Sequence, residues 1–145
     1  MSGDWRSGAA SLRQWLGRFP APAFDLMARI GVASVFWKSG LTKIASWELT
    51  VGLFESEYAV PLLPAESAAW LATAAELTCP VLLVLGLGAR LGAAGLLGVT
   101  AVIQLFVYPG NWGEHLIWAA LLIHVLTRGA GPISLDALIL RRLAL

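Results

Sequence analysis

Five ionisable side chains, Arg29, Lys38, Lys43, Glu76 and His124, stand inside the longest apolar stretches of this chain, with Gln104, Tyr108 and His115 close by. Inserting such a group into hydrocarbon costs at least about 2.5 to 3.5 kcal/mol on insertion scales, so each one needs a partner or a watered cavity. A carboxylate and an ammonium held away from bulk water can pass a proton or hydrogen-bond a ligand oxygen. The same pair can also simply neutralise itself and fix the packing of two helices. Glu76 facing Lys38 or Lys43 admits both readings. At 1.5 Å per residue, Lys38 and Glu76 each fall about 13 Å from the same end of their helices, which puts them at matched depth. Lys43, Gln104, Tyr108 and His115 are shallower in that half, whereas Arg29 and His124 share the other. The candidate ligand pocket and its support are therefore Arg29, Lys38, Lys43, Glu76, Gln104, Tyr108 and His115, with no residue singled out as catalytic.

Other chemistries find no footing. Cys79 is the only cysteine, which excludes an intrachain disulfide, a CxxC pair and a cysteine metal cage. His115 and His124 project nearly opposite ways, about two and a half turns apart on one helix, so no shared metal ion is expected. No phosphate loop, nucleophile elbow or zinc-protease motif occurs. A formal charge of +1 without any Lys/Arg run argues against a nucleic-acid partner.

The elements that carry these residues follow from composition. Apolar residues make up 58% and charged residues 13% of 145, far from the roughly half and quarter of soluble domains. A chain this short cannot hide that much apolar surface from water. Four stretches approach the roughly 20 residues of a bilayer crossing: Phe24 to Trp47, Ser67 to Ala89, Leu91 to Tyr108 and Gly113 to Thr127. The fold class is thus all-α, a polytopic membrane protein built as a four-transmembrane-helix bundle in contact with the lipid bilayer.

Orientation follows from the Lys/Arg excess of cytoplasmic connections. Arg6, Arg13 and Arg18 precede the first span, Arg90 lies between the second and third, and Arg128, Arg141 and Arg142 follow the fourth. The connection from Glu48 to Glu66 and the turn Pro109-Gly110-Asn111-Trp112 carry no basic residue. Both termini are expected in the cytoplasm. Residues 1–23 form a cytoplasmic segment in which Ser11 to Phe19 reads as an interfacial helix, residues 24–128 the transmembrane domain, and residues 129–145 a cytoplasmic tail. In that tail, Ser134 is the expected N-cap of a second interfacial helix reaching Leu143.

Helical phase places Thr100, Gln104 and Tyr108 on one stripe, Thr73, Glu76 and Pro80 on another, and Arg29, Phe36, Gly40 and Lys43 on a third. Pro80 cannot donate to the Glu76 carbonyl, so a kink is expected there. Lys38 points nearly opposite to Arg29, and Ser39-Gly40 is the expected place for the first helix to bend or unwind.

The pieces Arg29-Ile30-Gly31, Ser39-Gly40-Leu41-Thr42-Lys43, Ala75-Glu76, Leu85-Gly86-Leu87-Gly88-Ala89-Arg90 and Gly131-Pro132-Ile133-Ser134-Leu135-Asp136 occur in order. Together they resemble the DoxX family of small membrane proteins over about residues 24 to 140. The resemblance implies a four-helix membrane bundle with Arg29, Gly40, Lys43 and Glu76 at the family's polar positions. It also implies a subunit of a membrane oxidoreductase system with quinone as the cofactor and a partner protein or homo-oligomer. The residues by themselves leave two other readings open, a non-catalytic membrane anchor for a partner and a small-solute or metal-handling transporter.

Overall fold

The computed structural model describes residues 10–12, 20–58, 60–61 and 63–143, and these are all helix, turn or loop, with no strand. Helix α1 (Ala21–Ala45) begins on Pro20 with a second proline at Pro22, where missing backbone donors do no harm. Helix α2 (Trp47–Leu53) runs into a π-helical turn, Phe54–Tyr58. Then come α3 (Ala65–Leu85), α4 (Ala89–Val102) with its π-helical extension Ile103–Val107, α5 (Trp112–Arg128) and α6 (Leu135–Leu143). The predicted helix at Ser11 to Phe19 lies mostly outside the described residues, of which Ala10 to Leu12 are helical.

Helices α1, α3, α4 and α5 pack as a bundle in which α1 against α3 is the most extensive pair, followed by α3 with α4 and α4 with α5. Their shared core gathers Val32, Ala33 and Phe36 of α1, Leu83 of α3, Ala93 and Leu96 of α4, and Leu122 and Val125 of α5. Large apolar side chains such as Met27, Leu71, Leu91 and Ile117 point outward and are more than half exposed. Two helical stretches, Ala65–Leu85 and Ala89–Val107, are long and apolar enough to cross a membrane, with mean hydropathy 1.8 and 1.7. Helix α1 has the length, but every 18-residue window of it holds three charges, and α5 is 17 residues long.

Three local features bear on the reading of the sequence. The connection from Glu48 to Glu66 is largely helical: Trp47, Val51 and Phe54 recur at helical spacing and seal a small second core with Tyr58, Ala68 and Ala69. Helix α1 runs unbroken through Ser39 and Gly40. Gly40 serves close approach instead, since a Cβ there would lie 2.8 Å from Leu77 Cδ2 and 3.2 Å from Glu76 Cβ. Helix α3 likewise continues as helix through Pro80.

At one end of the bundle the chain is tied by Arg29, whose side chain is fully buried. Its Nη1 donates to the carbonyls of Leu83 (2.9 Å) and Val84 (3.3 Å), and its Nη2 to that of Ile133 (2.5 Å). A cation on the last carbonyls of α3 also sits well in that helix dipole. Gly86 closes α3 with φ of 64°, Leu87 N–H reaching back to the Leu82 carbonyl and Gly86 N–H to that of Leu83. No other residue type fits, because a Cβ at Gly86 would stand 2.6 Å from Arg29 Nη1. Ser134 Oγ caps α6 by accepting from Ala137 N–H (3.1 Å), as its position in the sequence predicts. Asp136 then accepts from Gly88 N–H (2.9 Å) and Ala89 N–H (3.4 Å), completing the N-terminus of α4. Beside this knot His124 Nε2 and Asp25 Oδ1 meet at 2.8 Å.

Candidate functional site

The opposite end is built around Lys43, in the last turn of α1, and Glu76, midway along α3. The close approach at Gly40 brings the two helices near enough for Lys43 Nζ to donate to Glu76 Oε2 at 2.6 Å and Oε1 at 2.9 Å. Its third donor goes to Ser39 Oγ at 2.9 Å, so the ammonium is saturated. Glu76 is 1% exposed and Lys43 17%, an asymmetry that leaves the cation as the accessible half of the pair. The Thr50 hydroxyl donates to the Lys43 carbonyl at 3.0 Å and fixes the start of α2 over the end of α1.

Against this pair lies a cavity of about 510 Å³, within the roughly 300 to 1,000 Å³ of small-molecule sites. Its wall is mostly apolar, with Phe54, Leu71, Val99, Val102, Ile103 and Trp118 among the lining, and its polar groups converge from Ser39, Lys43, Glu76, Tyr58, Tyr108 and His115. Both π-helical turns border it through Phe54, Tyr58, Ile103 and Val107. Such turns insert a residue into a helix and are frequent at functional sites. In the second one, Tyr108 N–H bonds the Ile103 carbonyl five residues back. That extra residue rotates Tyr108 off the stripe of Thr100 and Gln104. Those two are buried, whereas Tyr108 stays half exposed at the mouth. There it meets Tyr58 edge to face with ring centroids 6.3 Å apart. Burial, and next the hydrogen bond with Tyr108, push the Tyr58 hydroxyl up to about 12, so it remains a neutral donor.

His115, 3% exposed, forms part of the cavity wall. Its Nδ1 lies 2.6 Å from Gln104 Oε1, while Gln104 Nε2 donates to the Pro109 carbonyl at 2.7 Å. The indole of Trp118 leans on the imidazole with centroids 5.1 Å apart.

Of the seven sequence candidates, Lys43, Glu76, Tyr108 and His115 thus line one cavity, and Gln104 braces it from behind. Arg29 does not: it is the knot at the other end. Lys38 does not either, because it lies on the exposed side of α1, one position from the lining residue Ser39. Sequence reasoning missed Asp25, the partner of His124, although an acid four residues before Arg29 inside an apolar stretch was a usable signal. It also missed Asp136 as the cap of α4. Among the described residues no three His, Cys, Asp or Glu side chains converge as a metal site.

Residues 24–109 match the sequence profile of the DoxX family, and they contain Arg29, Gly40, Lys43, Glu76 and Gln104. The chain is a member of the DoxX family. No curated protein and no solved structure matches it. In this DoxX chain the profile ends at Pro109, so His115 and the capping Asp136 lie beyond the matched region while serving its two ends.

Proposed function

We propose that this DoxX chain is a multi-pass protein of the bacterial inner membrane with four spans and both termini cytoplasmic. We further propose that it is the ligand-binding subunit of a membrane oxidoreductase system. Its ligand is a quinone or a small molecule of similar build, held in the outward-facing cavity. The observation that carries this reading is the cavity itself, an apolar chamber with one saturated ion pair and a few converging polar groups. That is the make-up of a site for an apolar ring bearing polar oxygens.

The residues fit such a ring. Trp118, Phe54 and the two tyrosines offer faces and edges to pack it, and the Tyr58 hydroxyl is within the lining to orient one of its oxygens. A bound quinone would supply two-electron, two-proton carrier chemistry. The chain supplies exclusion of water, orientation, and a Glu76 carboxylate held ready beside Lys43.

Four spans are supported by the way the charges of α1 and α5 are absorbed. Asp25 pairs with His124, Arg29 with three carbonyls, and Lys43 with Glu76. Lys38 has a stem long enough to carry its charge toward the headgroups. Residues 24–128 form the membrane domain in this reading, and α6 lies on the inner surface with Arg141 and Arg142.

A second reading, a non-catalytic anchor for a partner protein, draws on the saturation of the Lys43 ammonium, which leaves no donor spare for a ligand. Photolabelling with an azido-benzoquinone of the protein in nanodiscs separates the two. Covalent label on the peptides of Tyr58, Ile103 and Trp118, competed by unlabelled quinone, supports the cavity. Uncompeted label spread over the lipid-facing surface leaves only the anchor.

A further inference from the structure

The Gln104 amide is oriented by the Pro109 carbonyl, which can only accept, so Nε2 is the amide atom that faces Pro109 and Oε1 the one that faces His115. An oxygen acceptor at 2.6 Å requires the proton of the imidazole to sit on Nδ1. In the neutral ring the lone pair is then on Nε2. No group of the described residues hydrogen-bonds that atom, and it is not sealed off like Arg29 Nε and the Thr73 hydroxyl, the two buried polar atoms that lack a partner. His115 lines the cavity and is otherwise buried, which leaves the cavity as the space open to Nε2.

We infer that His115 is the specificity-determining acceptor of this cavity, and that the Pro109–Gln104–His115 chain tunes it to bind a ring carrying a hydroxyl, a quinol or phenol, in preference to the corresponding carbonyl quinone. The inference rests on the ligand-binding reading above and sharpens it. A bare nitrogen accepts from an O–H and offers nothing to a carbonyl, which would face two lone pairs across a dry contact. Trp118 against the imidazole and Phe54 and Tyr58 opposite favour an aromatic ring as the carrier of that hydroxyl. Gln104 is a positioning residue, acting only through the tautomer of His115.

The test uses full-length protein in nanodiscs with ¹⁵N-labelled histidine, under anaerobic conditions, with decylbenzoquinol and decylbenzoquinone as the probes. His115 is expected to show a protonated Nδ1 and a bare Nε2 whose resonance moves on adding quinol. Quinol should bind about tenfold or more tightly than quinone, the worth of one hydrogen bond in a dry site. His115→Phe should abolish that preference, and Gln104→Leu should reduce it with the two tautomers mixed; melting of each variant reports folding separately. A protonated Nε2 in the wild type overturns the inference without any variant. Equal affinity for the two probes also overturns it while leaving the cavity as a ligand site. If neither probe binds, the ligand-binding reading fails and takes this inference with it.

Discussion

Glu76 and Lys43 meet at 2.6 Å beside a close approach of α1 and α3, where Gly40 has no side chain to hold the helices apart. Removing one partner strands the other in a poorly solvated place, and such a loss costs about 3 to 5 kcal/mol when the pair is buried. Glu76→Gln should approach that loss, softened by the partial exposure of Lys43. The double change Lys43→Met with Glu76→Leu should recover most of it, since it leaves no unpaired charge. Thermal or denaturant unfolding in detergent of wild type, Glu76→Gln and the double variant makes the comparison, and a double variant as unstable as Glu76→Gln would contradict it.

The contact at Gly40 yields a second expectation. In Gly40→Ala the new methyl would stand 2.8 Å from Leu77 Cδ2 and 2.9 Å from Leu77 Cγ. Overpacking of this kind costs about 1 to 3 kcal/mol. Gly31→Ala, on the same helix with nothing within 4 Å of its Cβ, should instead be neutral or gain about 0.5 to 1 kcal/mol from helix propensity. The melting temperature should fall in Gly40→Ala and hold or rise in Gly31→Ala.

Arg29 ties α1 to the last turn of α3 and to the segment before α6 through three carbonyls. Arg29→Met keeps the volume but removes a donor from those carbonyls, of which Leu83 keeps the Gly86 N–H, at about 1 to 3 kcal/mol for each one left buried without a partner. Hydrogen exchange should rise first in residues 129–143, which the guanidinium holds through Ile133, and only later near Lys43. Faster exchange around Lys43 than in the C-terminal segment would argue against the knot.

Tyr58 gives a pH dependence with a definite sign. Its hydroxyl is raised from 10.0 to about 12 in the folded chain. Between those values the unfolded chain has released a proton that the folded chain keeps, so stability falls as pH rises from 10 to 12 and is unaffected by this group below. Tyr58→Phe should flatten that fall. A denaturation midpoint series across this window in both proteins measures it, and identical slopes would remove the buried tyrosine from the account.

The helices, and the sorting of charge toward two ends, could be read from the sequence because apolar length and helical phase are local properties. The match of Lys43 to Glu76 was within reach for the same reason, through depth and face. What escaped was non-local or a matter of one residue. The π-helical turn at Ile103–Val107 moves Tyr108 off the predicted stripe, and nothing in periodicity marks an inserted residue. Gly40 was taken for a hinge because a glycine's use depends on what lies opposite, here Leu77. Arg29 counted as a pocket residue because its true partners are backbone carbonyls, which leave no trace in side-chain identity. Asp136 stands 48 residues from the amide it caps, too far for any spacing rule.

The central claim is that the cavity beside Lys43 and Glu76 holds a small ring ligand, and Gly98 gives the most direct way to test it. This glycine lines the cavity on its exposed side, and a Cβ there meets nothing within 4 Å, so Gly98→Leu adds bulk at the cavity without a close contact at its Cβ. Equilibrium binding of decylbenzoquinol to wild type and Gly98→Leu in nanodiscs is the measurement. The account predicts saturable binding to the wild type, lost in a variant that melts no lower. Undiminished binding to the variant would contradict it.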